Sequence, residues 1–438
     1  MRALTLSSNH RRLLVLAGGL IAVAGLICYL SNLLFAVSIV AVGLLLLFFL
    51  ARTREVLLLF LLLRSSLDIS KNYFSVYLSD TVQITGAIVL SFVLIIGGVI
   101  YLLANRKSFL RPPLAGIFLI FLAIAMIHFL LVEDLRFSLM EFTRYFSAYL
   151  VYVLVWNLIN NKSDSRIFIN IILLSSLLPI GAGLYQGILN RGEYITGFMR
   201  AYGTFSHPEP YAFYLILILA LALNLFFYYR RRGRRLALTA LILAALACVL
   251  FTFTRTAWFG CLMIIFFAAC FRQKRLIWVF VALLLVFSLL SPLRSRFYDL
   301  STSFNSLAYR LSIWRGGLEQ MSEILVLGRG LGSFAKLDIL GELAHNDYLR
   351  LIFELGLLGL LAHLILSGGL IIRLVGLLRS KLEEYDFSLV VAAFSVAVFF
   401  LTAGTINNLV FRTVLQWYFW ALMAVALKTA SGVKDPAR

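Results

Sequence analysis

Apolar residues run along this chain in long blocks separated by short polar links. The blocks fall at 13–31, 33–51, 55–67, 82–104, 114–132, 140–159, 166–189, 209–229, 236–253, 257–271, 276–291, 346–378, 387–404 and 408–428. Most approach the ~20 residues a helix needs to cross the hydrocarbon core of a bilayer. The pattern predicts an all-α polytopic membrane protein with about 12–14 transmembrane helices, the weakest blocks being candidates for re-entrant segments.

Composition agrees with the pattern. Of 438 residues, 62% are hydrophobic and 13% charged, against about 25% charged in a soluble domain. The mean hydropathy is +0.96. The first block follows Arg11 and Arg12 and could pass for a signal peptide. With a second block starting at once and no small-residue cleavage site, it reads as an uncleaved first span. Cys28, Cys248, Cys261 and Cys270 all lie in apolar blocks, which suits packing and not a disulfide frame or a metal site.

Charge adds sidedness. Basic residues cluster at Arg11/Arg12, Arg52/Arg54, Arg106/Lys107/Arg111, Lys162/Arg166, 230–235, 272–275, Arg379/Lys381 and Lys428/Lys434, at every second link. The positive-inside rule then makes both termini cytoplasmic. A net charge of +19 suggests anionic headgroups or an anionic substrate. The basic residues are spread over short links, which does not suggest nucleic acid.

The opposite side carries 68–81, 133–139, 190–208, 254–256, 405–407 and one long loop, roughly 292–345, expected to contain short helical segments and a glycine-rich turn at 328–334. The chain thus divides into an amino-terminal bundle, 1–291, with arginine-bearing outer loops at 190–208 and 254–256; the long loop, 292–345; and carboxy-terminal helices, 346–438.

Three outer segments carry chemistry. In 191–215, "RGEYITGFMRAYGTFSHPEPYAFYL", Pro208 and Pro210 suit the first turn of a span, and Arg191 and Arg200 lie on the side where positive charge is not expected. Arg255 sits in a tight link, "FTFTRTAWFG", without an acidic neighbour in sequence. Each arginine reads either as a snorkelling interfacial residue or as an anion clamp, since guanidinium donors match phosphate oxygens in pairs. In "HNDYLRLIFELGLLG" (345–359), Asn346 or Asp347 can cap a helix on which Arg350 and Glu354 form an i,i+4 ion pair. His345 stands alone before that helix, either as a plain interfacial histidine or as a general base. His128 and His363, inside apolar blocks, read as packing residues. Glu383, Glu384 and Asp386 read as a solvated acidic link on the cytoplasmic side. No nucleotide-binding loop, serine-hydrolase motif or zinc motif occurs, and no outer-loop carboxylate pair has metal-ligand spacing.

"RAYGTFSHPEPYAF" (200–213), "FTFTRTAWFG" (251–260), "RLSIWRGGLEQM" (310–321), "LGRGLGSF" (327–334) and "HNDYLRLIFELGLLG" (345–359) together resemble the O-antigen ligase/O-antigen polymerase superfamily over roughly residues 180–380. One departure is Glu209, where the family pattern carries asparagine. The resemblance implies a metal-independent, cofactor-free, inverting glycosyltransferase of the bacterial inner membrane acting at the periplasmic face. Its donor would be an undecaprenyl-pyrophosphate-linked glycan. The acceptor would be lipid A–core in a ligase, or a second lipid-linked glycan in an O-antigen or exopolysaccharide polymerase. By motif, Arg200 and Arg255 would bind the pyrophosphate and His345 would act as the base. The long loop would cover the glycan, with Arg310, Trp314 and Arg315 as contacts; Arg191 and His207 are further candidates. A lipid-linked-glycan transporter is the reading from another class. The gathering of informative charges at one membrane face favours the enzyme.

Overall fold

A computed structural model describes residues 33–68, 75–79, 82–130, 132, 135–195, 197–289, 306–319, 325–336 and 344–432. The expected first span, 13–31, and parts of the 292–345 loop lie outside them. The chain is an all-α polytopic membrane protein. Among the described residues six helical stretches are long and apolar enough to cross a membrane by length and composition, 162–188 being counted as one, and several shorter apolar helices accompany them.

In order, the helices are α1 (Leu33–Ala51), α2 (Thr53–Arg64), α3 (Gly86–Ala104), α4 (Ala115–Ile127), α5 (Leu135–Leu158), α6 (Lys162–Leu174), α7 (Leu177–Ile188), α8 (Pro208–Tyr228), α9 (Arg232–Phe251), α10 (Arg255–Phe271), α11 (Leu276–Leu289), α12 (Ser306–Glu319), α13 (Asp347–Leu378), α14 (Glu384–Ala403) and α15 (Thr413–Ala430). Two short antiparallel hairpins interrupt them, β1 (Ser75–Ser79) with β2 (Val82–Thr85), and β3 (Glu193–Ile195) with β4 (Phe198–Arg200). The first corrects the expected span 82–104. Its opening residues, rich in β-branched side chains, pair back on 75–79, and the helix starts at Gly86.

Helices α8, α14 and α15 form the centre. The most apolar windows of α8 and α14 are each 78% buried, against 22% for α9, which faces outward. Trp417 on α15 donates its indole N–H to Ser147 of α5. The expected span 166–189 is two helices, broken at Ser175–Ser176. The break is held by tertiary bonds: Ser65 Oγ donates to the Ser175 carbonyl at 2.8 Å, and Ser175 Oγ shares a bond with the Tyr214 hydroxyl. Thr204 Oγ1 donates to the Ser65 carbonyl, so the loop before α8 is tied into the same knot.

The two ends of the bundle differ in chemistry. At one end Lys162 pairs with Glu383 and Asp386 at 2.8 and 2.9 Å, Arg272 with Glu384, and Arg54 with Asp164. This corrects the reading of 383–386 as merely solvated, because these acids neutralise basic links of neighbouring helices. At the other end of α14, past Ala403, lies the neighbourhood of His345. The 20 residues of α14 separate the two by about 30 Å, the thickness of a bilayer core.

Candidate functional site

Four helix starts meet at that second end: those of α8, α10, α13 and α15. The positive ends of their dipoles favour an anion there. His207 precedes α8, and its Nδ1 accepts the Glu209 N–H at 3.3 Å, with Pro208 opening the helix as expected. Asn346 caps α13 by accepting the Tyr348 and Leu349 N–H groups, both at 3.0 Å. Asp347 does not cap its own helix. It accepts the Leu409 and Val410 N–H groups and so fixes the turn that leads into α15. Asn407, in that turn, donates to Thr256 near the start of α10 at 3.2 Å.

His345 has φ +48°, a left-handed conformation uncommon for a side-chain-bearing residue and held in place by its surroundings. Asn346 beside it is capped into α13, and Trp314 donates its indole N–H to the Ala344 carbonyl at 2.7 Å. Trp314 in turn packs on a small core of Ile313, Phe334, Ala344, Leu349 and Phe353. His345 then lines a small cavity with Glu209, Pro210, Phe213, Asn408 and Arg412.

Arg412 lines this cavity; Arg200, Arg255 and Arg310 are not in its lining and have other duties nearby. Arg200 is buried; its Nε donates to the Thr252 carbonyl at 2.7 Å and a terminal nitrogen to Thr254 Oγ1 at 2.9 Å. It fastens the loop after β4 to the link before α10, where the Ala201 N–H also reaches the Phe251 carbonyl. Arg255 is the first residue of α10, directly after Thr254. Arg310 of α12 donates to the Ile406 carbonyl at 2.8 Å and pairs with Glu209 at 3.3 Å. Arg191 is exposed at the entry to the hairpin, outside the cavity lining. Arg315 is not brought to the cavity either; it is 84% exposed and pairs with Glu319 along its own helix.

His207 is pushed down to about 4, chiefly by burial and further by Arg200, Arg412 and His345, against the pull of Glu209. It is therefore neutral near pH 7. Its Nδ1 can act as the cap acceptor because the proton sits on Nε2. Burial also draws the Arg412 guanidinium below its ordinary value, opposed by Glu209.

Behind the cavity lies a buried ion network. Arg350 Nε meets Glu354 Oε1 at 2.7 Å, a terminal nitrogen lies 3.4 Å from Glu141, and the guanidinium stands 3.3 Å over the Phe411 ring. Arg144 pairs with Glu141. Two residues after Glu354, α13 breaks at Gly356 (φ +64°, ψ −170°). The glycine-rich segment 325–332 fills the break: Arg329 and Gly330 N–H groups donate to the Phe353 and Glu354 carbonyls at 2.9 Å, and Leu357 N–H donates to the Leu325 carbonyl. His128, read from sequence as packing, reaches the Leu327 carbonyl with Nε2 and pins this segment.

Sequence reasoning missed Glu141, Asn408 and Arg412. Glu141 lies 209 positions from Arg350 and no local spacing relates them. Asn408 and Arg412 fall inside the apolar block 408–428, where hydropathy alone gives them no role. Among the described residues no group of three or more His, Cys, Asp or Glu side chains is placed to hold a metal ion.

Comparison with known families finds a match for residues 239–364 to the family described as O-antigen ligase. No curated protein matches the chain. The matched segment runs from α9 through the first half of α13 and contains Arg255, Arg310, the glycine-rich segment, His345 and the Arg350–Glu354 pair. Over that segment the chain is similar to the O-antigen ligase family, and the match supports membership of the O-antigen ligase/polymerase family.

Proposed function

We propose that this protein is an O-antigen ligase-type glycosyltransferase, moving a glycan from undecaprenyl pyrophosphate to a sugar hydroxyl of lipid A–core. The reaction is metal-independent and inverts the anomeric carbon. The observation that carries this reading is the cavity that His345 lines with Arg412 among helix starts at one end of a membrane bundle, with Arg310 and Arg200 acting electrostatically on the Glu209 carboxylate in its wall. A base beside a concentrated positive field suits attack by a hydroxyl on a sugar whose leaving group is a diphosphate. The basic links at the far end of the bundle favour a cytoplasmic placement there. The cavity then opens to the periplasm, in the inner membrane, with both termini cytoplasmic.

In this mechanism His345 takes the proton of the acceptor hydroxyl as its oxygen attacks the anomeric carbon. The bond from that carbon to the diphosphate oxygen breaks on the opposite face, and its electron pair leaves with undecaprenyl pyrophosphate. Arg255, with Arg200 beside it, stabilises the charge that grows there, and the helix starts add their dipoles. Trp314 and Arg310 hold the long segment over the glycan. The three-part division of the chain at 291 and 345 follows this use: two membrane portions supply the reacting groups and the segment between them covers the substrate.

The test is reconstitution in the presence of EDTA, giving the purified protein both lipid-linked glycan and lipid A–core. Glycan moving to lipid A–core supports the ligase. Glycan lengthening on undecaprenyl pyrophosphate identifies an O-antigen or exopolysaccharide polymerase instead. No transfer to either favours a transporter. His345→Ala is expected to lower the rate by about 10²–10⁴ and Arg255→Ala by about 10²–10³, with normal insertion and purification. Near-normal turnover in either variant removes that residue from the mechanism.

A further inference from the structure

The turn between α14 and α15 carries two polar side chains that the proposed mechanism leaves unused. Asn408 is 6% exposed, and among the described residues neither its amide nitrogen nor its amide oxygen has a hydrogen-bond partner. Burying an amide in that state costs stability, and its persistence requires a reason. Both atoms belong to a residue lining the His345 cavity. Arg412, also in the lining, is half-buried, and among the described residues its guanidinium has no hydrogen-bond or ion-pair partner. Arg200 and Arg310, by contrast, spend donors on Thr252, Thr254, Ile406 and Glu209.

The backbone that presents the pair is fixed independently of it. Asp347 accepts the Leu409 and Val410 N–H groups and donates its own N–H to the Gly404 carbonyl at 2.8 Å. Asn407 is anchored on Thr256 and the Ala403 carbonyl, and Gln416 donates to the Leu409 carbonyl. A rigid turn that holds an unsatisfied amide and an arginine without a partner beside a base is a site built in advance of its ligand.

We propose that Asn408 and Arg412 form an oxyanion subsite beside His345 that takes the diphosphate of the donor. The fork of Arg412 matches two phosphate oxygens, and the Asn408 amide N–H donates to the same group. The Glu209 carboxylate in the same cavity makes its ion pair with Arg310 at 3.3 Å and acts on Arg412 only through its charge, without a direct bond. This assignment rests on the reading of the site as transfer from a lipid diphosphate. A sugar carboxylate offers the same chemistry, so the test separates the two.

The experiment measures binding to the full-length protein in nanodiscs by calorimetry, with farnesyl diphosphate, farnesol and a glucuronate-ended oligosaccharide as probes. The Arg412 side chain makes no cap bond to α15, so Arg412→Gln leaves the helix start intact, and a melting curve checks this. Arg412→Gln is expected to weaken farnesyl diphosphate about 10- to 100-fold and to leave farnesol unchanged. Arg412→Lys recovers part of the loss, since an ammonium supplies charge without the fork. Asn408→Ala weakens the diphosphate more mildly. Equal binding of farnesyl diphosphate by wild type and Arg412→Gln overturns the subsite, as does a loss confined to the glucuronate probe. A wild type that binds no diphosphate overturns the donor reading as well, and so distinguishes the two failures.

Discussion

Gly356→Ala is the sharpest perturbation the structure offers, because the residue stands where a helix breaks and a loop enters. A methyl group added there would lie 2.1 Å from the Val326 carbonyl oxygen and 2.5 Å from its carbon, both backbone atoms that cannot swing aside. The backbone conformation, φ +64° with ψ −170°, belongs to a region used almost solely by glycine and costs another residue ~1–3 kcal/mol. Relieving the clash means withdrawing segment 325–332, with the loss of its three backbone hydrogen bonds to α13 at ~0.5–1.5 kcal/mol each. The sum is about 3–7 kcal/mol, enough to release the segment while the bundle persists. The assay is limited trypsin digestion in detergent, with cleavage after Arg329 as the readout, alongside thermal melting. Gly356→Ala should be cut there readily and melt lower. Gly368→Ala is the control of opposite sign: nothing lies within 4 Å of its added carbon, so alanine should stabilise the helix by ~0.5–1 kcal/mol. If Gly356→Ala protects Arg329 as wild type does and melts at the same temperature, the loop does not depend on the break and the argument fails.

Two further outcomes follow from buried charge. Arg350→Met leaves Glu354 and one side of Glu141 without a counter-ion, a loss of ~3–5 kcal/mol; adding Glu354→Leu should recover much of it in melting experiments, and a double variant no more stable than the single one refutes the network. His207 binds its proton less readily when folded, with its value about 4 against 6.5 unfolded, so the unfolded state carries the extra proton between those values. The stability it contributes is complete above about pH 6.5 and declines as pH falls toward 4. Melting temperatures of His207→Asn, which keeps a capping acceptor, should fall less steeply across that window than those of wild type; parallel curves would show that His207 is not the group responsible.

Much of this arrangement was legible in the sequence where the interaction is local. The apolar blocks named the membrane class because a bilayer demands helices of a set length. The Asn346-Asp347 pair announced the start of α13, Pro208 the start of α8, and the four-residue spacing of Arg350 and Glu354 their ion pair, since each depends on one turn of helix. His345 was singled out by its place before that helix.

The tertiary structure decided what depends on the chain returning to itself. It brought Glu141 to Arg350 across 209 positions and made Glu383 and Asp386 partners of Lys162. It broke the helix at Gly356 and supplied the missing donors from a loop some 25 residues upstream, and it left Arg315 in solvent while folding Arg310 onto Glu209. Above all it set Asn408 and Arg412 beside His345. Hydrophobic periodicity records which face of a helix is covered but not which loop covers its end, and the cavity is made of helix ends.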